Sequence, residues 1–428
     1  MRGVVVALIL VLFLAAGLVL VRKKSSATLT CPWPGGGEFV LTQVSYGKVH
    51  RYHGTLREQL LGWLPPGLAR RFNISAPTLT TDEPSLCLWL IDRRPPNPLA
   101  SSRLEITLSD EAGVESESNA ARTSFSGSSS PIEGQAFTAF PRRGKLIRIN
   151  LYERNARWLL QKVGTFTIAN PAPRDFPAWT PDPPGHRHRA GHLEARLLDL
   201  KVGLNQEQSA EHFATNLAQE GWARASFVLL DHGLTVSNWA PAAIELSDAT
   251  GNRIAANSWS NWEKNDRQIM AFRWWLWSGE PAWKAHVEFS EKSGFKTNDL
   301  WTATITAPDE SGLTETNLAM TLHGASVLLR GVAGPGVAPS WKSYSNLGPS
   351  SVLRVETQSL PPDCRLTLAE VRDDRGNILS LGGASYGDGK FDFALLVPAG
   401  AKQLQVTLAV HQSVYADFLV KPEFPPRH

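Results

Sequence analysis

Cysteine is scarce in this sequence: three residues in 428. That excludes a disulfide-dense scaffold and a cysteine-rich zinc module. Cys31 and Cys87 fall in one stretch; export would allow them to pair, but the sequence does not call for it. Cys364 stands apart and reads as a small buried hydrophobe. Net charge is scarce too: 43 lysines and arginines against 40 acids leave +3, which gives no basic footprint for nucleic acid. Also missing are a phosphate-cradling glycine loop before a helix, a zinc-protease helix motif and a carboxylate pair with glycosidase spacing. These absences argue against an enzyme and call for no cofactor.

Long apolar runs are absent everywhere but the start. Gly3 to Val21 is unbroken, flanked by Arg2 and by Arg22-Lys23-Lys24. As a helix it spans about 28 Å, enough for a bilayer core. The reading is an N-terminal transmembrane anchor over residues 1–27. Cleavage after Ser25-Ser26-Ala27 is the alternative, and would give a secreted chain. The cations after the span favour a cytoplasmic C-terminal side, but long domains translocate regardless of local charge. Tryptophan-rich stretches and a proline-rich linker favour extracytoplasmic β domains.

What the rest of the chain has is one pattern stated three times. Leu108-Ser109-Asp110-Glu111-Ala112-Gly113, Leu246-Ser247-Asp248-Ala249-Thr250-Gly251 and Val371-Arg372-Asp373-Asp374-Arg375-Gly376 share apolar, any, Asp, two residues, Gly. An apolar run ending in an acid precedes each, at Asp92, Asp231 and Glu356, which is 18, 17 and 17 residues before the turn Asp. Downstream come an aromatic-led strand, a Pro/Gly turn and a second strand. The aromatic-led stretches are Phe137–Phe140, Phe272–Trp277 and Phe391–Val397. A last short strand and a proline close each copy, with Ile168 before Pro171, Ile305 before Pro308 and Leu419 before Pro422. The period is that of a whole domain, too long for a solenoid unit.

Ile147, Ile149 and Leu151 alternate with polar residues, as do Ala285, Val287 and Phe289. That buries one face and wets the other. Asp-x-x-Gly suits a hairpin turn, because Gly accepts positive φ. The fold class is all-β: three tandem antiparallel β-sandwiches, at 38–170, 193–307 and 317–428, after the anchor. The third copy starts near Leu318. Residues 171–192, with six prolines and three histidines, form a linker. Glu115–Gly134 reads as a long flexible loop. Leu56–Trp63 and Glu207–Glu220 have helical spacing.

Each chemical motif has a plainer counterpart. Gly383-Ala384-Ser385-Tyr386-Gly387 matches a nucleophile elbow, but that chemistry needs a following helix, and Phe391-Asp392-Phe393 reads as a strand. His186, His188 and His192 cluster, yet Arg187 and Arg189 would oppose a metal, so a solvated linker is the reading. His50 and His53 would point to opposite faces of a strand. The Asp-x-x-Gly turns supply too few oxygens for calcium.

Tryptophan is the exception to blandness: nine of fifteen fall in the second copy. In the strand expected over Phe272–Trp277, Phe272 and Trp274 share one face and Arg273, Trp275 and Trp277 the other. A sandwich buries only one face. So the outer pair is expected to be covered, by the Trp259–Trp262 loop or a neighbouring copy; left uncovered, Arg273, Trp275 and Trp277 are the candidate binding surface, for a protein or a carbohydrate.

The three modules resemble tandem immunoglobulin-like domains of bacterial membrane-anchored surface proteins. The resemblance covers residues 38–428 and is architectural. It brings no family motif and no functional residue. Its implication is a non-enzymatic, envelope-anchored spacer and interaction protein. The partners are the membrane, through the N-terminal helix, and an unidentified protein. The alternatives are a carbohydrate-binding protein using the second copy's tryptophans, and a hydrolase with a site between copies.

Overall fold

The computed structural model describes residues 29–33, 36–52, 77–94, 104–116, 120–125, 132–154, 160–173, 175–183, 185–204, 222–273, 275–309, 312–335, 350–387 and 389–424. The apolar run at 3–21, the helix candidates at 56–63 and 207–220, and His53 lie outside them. Among the described residues all regular structure is antiparallel strand, apart from one 3-10 turn at Thr297–Asp299. No helix there is long and apolar enough to cross a membrane.

The first repeat contains β1 (Leu29–Pro32), β2 (Glu38–Arg51), β3 (Thr78–Asp92), β4 (Glu105–Ser109), β5 (Glu115–Ser116), β6 (Ala120–Phe125), β7 (Ile132–Phe137), β8 (Leu146–Arg154) and β9 (Leu160–Ala169). They form two sheets, β1-β2-β3-β7-β6 and β5-β4-β8-β9. The alternation works as read: Ile147, Ile149 and Leu151 are fully buried, in the same core as Leu86, Leu88 and Leu90. The stretch expected as a flexible loop, Glu115–Gly134, instead carries β5, β6 and the start of β7. Its serines and glycines are no obstacle, because an edge strand is held by backbone bonds to β7 and needs little apolar content.

Cys31 and Cys87 do not pair; both are free and buried. Cys31 packs in the sandwich interior, whereas Cys87 joins Tyr52 and Trp89 in a separate cluster. The two thiols leave one sheet on opposite faces, which no disulfide spans. Burial pushes the Cys87 thiol up to about 12.

The second repeat contains β10 (His188–Ala190), β11 (Leu193–Leu204), β12 (Trp222–Asp231), β13 (Leu234–Thr235), β14 (Trp239–Asp248), β15 (Arg253–Lys264), β16 (Arg267–Arg273) and β17 (Trp283–Glu291). The Trp259–Trp262 stretch, expected as a loop, is part of β15. This strand turns a corner, pairing first with β14 and then with β16. The rest of the chain supplies β18 (Leu300–Thr306), β19 (Leu313–Leu322), β20 (Ala325–Ala333), β21 (Ser351–Ser359), β22 (Cys364–Asp373), β23 (Leu381–Gly387), β24 (Lys390–Leu395), β25 (Gln403–Gln412) and β26 (Val414–Val420). The alternating stretch at Leu318–Leu322 belongs to β19. The counterpart of β2 and β11 is β20, which pairs with β21 as β2 pairs with β3. Gly47 and Gly331, each beside a register shift, have φ of +146° and +147°.

The last strands break the repeat. In the first repeat β9 pairs with its own β8. The second and third repeats exchange theirs. β26 lies on β17, with Trp283 facing Val420 and Phe289 facing Val414, while β18 lies on β25. Side chains follow the backbone: Ala416 and Phe418 join the core shared by the first and second repeats, and Ile305 joins the third repeat's core. Both strands therefore cross the boundary expected at 307–317, and only Ser413 separates β25 from β26.

The C-terminal segment continues as a strap. Glu423 N–H donates to Leu200 O at 2.8 Å, and Val202 N–H to Glu423 O at 3.0 Å. Phe424 meets Trp283 edge-on at 5.9 Å. The proline-rich linker is docked by the same segment: Asp182 N–H donates to Leu419 O at 2.7 Å, and Leu419 N–H to Asp182 Oδ2 at 2.9 Å.

One polar cluster secures the exchange. Glu288 on β17 is 9% exposed. It accepts from Arg365 Nε at 2.6 Å, from Arg365 Nη2 at 2.5 Å and from Ser413 Oγ at 2.5 Å. Burial pushes its carboxyl up, but Arg365 and Ser413 together pull it further down, to a net position below the usual range. A depressed folded pKa stabilises above the unfolded value and loses that contribution as pH falls through the folded one. The fold should therefore lose stability below about pH 4. Glu288→Gln should flatten that acid limb and cost about 1.5–3 kcal/mol at neutral pH. Melting temperatures of both proteins across the acid range check this; parallel curves would assign the acid limb to other groups.

Candidate functional site

The three Asp-x-x-Gly turns have one geometry. Gly113, Gly251 and Gly376 donate N–H to the carbonyls of Asp110, Asp248 and Asp373 at 3.0, 3.1 and 3.0 Å. Their φ values are +81°, +89° and +83°, a region that side chains rarely enter. In each turn Asp Oδ1 accepts the N–H four residues on, from Val114, Asn252 or Asn377.

The first two turns also hold the first and second repeats together, reciprocally. Asp110 Oδ2 accepts from Ser278 N–H at 3.1 Å and from Ser278 Oγ–H at 2.8 Å. In return, Asn252 of the second turn makes a two-point contact with the backbone of Phe140. Its Nδ2 donates to Phe140 O at 2.9 Å, and its Oδ1 accepts Phe140 N–H at 3.1 Å. Asp248 Oδ2 fixes the same amide at 2.8 Å. Where the two Pro/Gly turns meet, Arg143 grips Glu280 bidentately at 2.8 and 2.9 Å. Burial pushes the Glu280 carboxyl up against Arg143's pull, and the Glu280 bond raises Arg143. Arg142 is buried and donates to the carbonyls of Thr250, Pro84 and Thr138. Burial lowers its pKa, and its Nε has no hydrogen-bond partner.

A cleft of about 180 Å³ lies in this seam, with Asp110, Arg142, Asp248, Trp277 and Glu280 on its walls. Ligand pockets run to roughly 300–1,000 Å³, so the seam has room for a few waters. Its carboxylates are occupied by the turns themselves. The Ser278 hydroxyl donates to a carboxylate, which is a weak base at neutral pH. Among the described residues no histidine lines the cleft.

The residues of the expected binding surface stand here as well. The strand ends at Arg273 and not at Trp277, because the ladder partners stop there. Beyond it the chain leaves the sheet and runs over the first repeat, so the alternation of faces no longer applies. Arg273 is half-buried at the strand end. Trp275 is half-buried against the shared core, and its carbonyl accepts the Ser116 hydroxyl. Trp277 is 2% exposed, and its Nε1–H donates to Leu108 O at 3.0 Å. The first repeat covers Trp277.

Compared with protein-family models, curated proteins and solved structures, the chain matches none.

The remaining candidates are placed separately. His188 packs edge-on against Phe418 at 4.5 Å and lies 3.0 Å from Asp182; His186 packs on His188, and His192 on Trp239. They seat the linker on the second repeat. Among the described residues no group of three His, Cys, Asp or Glu could hold a metal ion. His50 is buried between Ser45 and Ser85, each at 2.8 Å, and burial lowers its pKa. Gly383–Gly387 lies on β23, which turns directly into β24, so no helix follows Ser385. Sequence reasoning missed Asn252, Arg142, Arg143, Ser278 and Glu280 as contact residues. The available signal was two adjacent arginines in one Pro/Gly turn and a glutamate in its counterpart.

Proposed function

We propose that this chain is a non-enzymatic spacer and interaction protein of the cell envelope. Its N-terminal apolar segment anchors it, and three immunoglobulin-like sandwiches form one stiff exported body. The observation that carries this reading is the exchange of β18 and β26, which ties the second repeat to the third through both their sheets. The reciprocal turn contacts at the first seam support the same stiffness. Where tryptophan side chains of the second repeat are described, Trp239, Trp277 and Trp283 are buried, and Trp275 and Trp301 pack on the cores. That favours structural use of the aromatics over a sugar-stacking platform. The small seam with occupied carboxylates favours a joint over a hydrolase site.

The test is fractionation of cells that make the full chain with a C-terminal tag. The reading expects release from membranes by detergent and not by salt, and loss of the tag when protease is added outside the cytoplasmic membrane. A tag that is protected there, or a chain in the soluble cytoplasmic fraction, would sink it.

A further inference from the structure

His411 stands where the second and third repeats cross, and a spacer as such gives it no task. It lies on β25 two residues ahead of Ser413, where the chain passes from the third repeat's sheet to the second's. It is 2% exposed. Its Nε2 meets Thr367 Oγ1 at 3.1 Å, and its Nδ1 is buried with no hydrogen bond of normal geometry among the described residues. Across the β22–β25 ladder it faces Arg365, the arm that grips Glu288 on β17. Its ring lies 5.0 Å from that of Phe295, in the connection from β17 to β18. Both crossing segments, and the ion pair that ties them, therefore meet around one imidazole.

The surroundings suit the neutral ring and not the charged one. A proton makes both ring nitrogens donors, and a buried N–H without an acceptor is costly. It also sets a second cation opposite Arg365, while Glu288 is already engaged by Arg365 and Ser413. Burial lowers the His411 pKa and Arg365 adds to that; Asp299 of the 3-10 turn, Glu288 and the Gln412 backbone oppose the shift without reversing it. Asp299 is itself engaged by His323 at 2.8 Å. His323, and His286 on Asp417 at 2.6 Å, are exposed and already hold a carboxylate, so a proton costs neither of them burial. We infer that the joint between the second and third repeats is a mild-acid switch, in which a proton on His411 loosens the crossing segments and lets the spacer flex there. A histidine kept neutral in the fold contributes its stability in full above its unfolded value, about 6.5, and loses it as pH falls below that. This window lies above the one set by Glu288. The switch rests on the stiff-spacer reading and gives that stiffness a condition.

The experiment is backbone hydrogen exchange of the full chain in detergent at pH 7.5 and 5.5, read by peptide and corrected for the intrinsic pH dependence of exchange. The readout is local because His50, equally buried, lies in the first repeat and titrates apart from the joint. In wild type, opening of 288–295 and 409–415 should rise on acidification. One unit below the open-state value, a single proton gives a rise of up to about tenfold. His411→Gln keeps a polar partner for Thr367 and cannot titrate, so it should abolish the rise at the joint and leave 45–52 as in wild type. A second measurement needs no variant: exchange of the ring C2 hydrogen of His411 against pH should have its midpoint below about 6.5. That midpoint decides the matter if His411→Gln fails to fold. Equal protection of the joint at both pH values, a rise that His411→Gln retains, or a midpoint at or above the ordinary histidine value would overturn the switch. None of these results bears on anchoring or export, which the fractionation tests.

Discussion

Deleting residues 414–428 opens the second repeat and leaves the third folded. The deleted strand runs beside β17 for seven residue pairs, Trp283↔Val420 to Phe289↔Val414. It puts Ala416 and Phe418, 4% and 2% exposed, into the shared core. Phe418 lies 5.9 Å from Phe227, and Phe227 5.4 Å from Phe289. Without β26 these rings face water. Each large apolar side chain so exposed costs about 1.5–3 kcal/mol. The strap bonds to Leu200 and Val202 and the linker bonds at Asp182 vanish with it. Together these approach the roughly 5–15 kcal/mol that holds a domain. The third repeat still has β18 on β25 beside β22. Hydrogen exchange should show protection lost over 188–204 and 283–291 and kept over 351–373. Loss confined to the third repeat would mean that β26 belongs there.

Trp277→Ala should be the most damaging single substitution at the first seam, at about 3–5 kcal/mol. The indole is almost wholly buried, fills the joint between two repeats, and leaves Leu108 O without its donor when removed. Because one core runs through both repeats, they should melt together, earlier than wild type and still in one transition. Trp275→Ala, at a half-buried position, should cost less. Calorimetry checks both. A Trp277→Ala protein that melts like wild type would show the joint to be loose, and two resolved transitions would show the repeats to be independent.

Much of this fold is legible because certain residues have no alternative. An Asp-x-x-Gly turn needs glycine at positive φ, so three glycines and three aspartates mark three turns whose hydrogen bonds coincide. Alternation in Leu146–Leu151 and Trp283–Phe289 marks strands with one buried face. The exchange of last strands is not legible. Leu300–Thr306 and Val414–Val420 are both short and β-prone, and either satisfies a strand of the β8 type. Nothing local tells β17 which to accept. Trp277 misled for a different reason. Period-two reasoning holds only while the ladder continues, and it stops at Arg273. β6, inside the Ser- and Gly-rich 115–134 stretch, was hidden because an edge strand is specified by its neighbour's free backbone more than by its own side chains. Whether Cys31 and Cys87 pair was not legible, since the face each thiol takes is set by register.

The exchange itself is open to a direct measurement. His286 and Asp417 face each other across β17 and β26, with Nδ1 and Oδ1 2.6 Å apart and both side chains half-exposed. If each repeat kept its own last strand, in the register that β18 takes on β25, His286 would stand where Thr407 does and would instead face Thr302. Two double variants separate the arrangements: His286→Cys with Asp417→Cys, and His286→Cys with Thr302→Cys. After mild oxidation of the folded chain, peptide mapping should find the first pair bridged within one chain and the second pair as free thiols, since facing strand residues lie within disulfide reach. A bridge between positions 286 and 302, with none between 286 and 417, would contradict the exchange and with it the single stiff body.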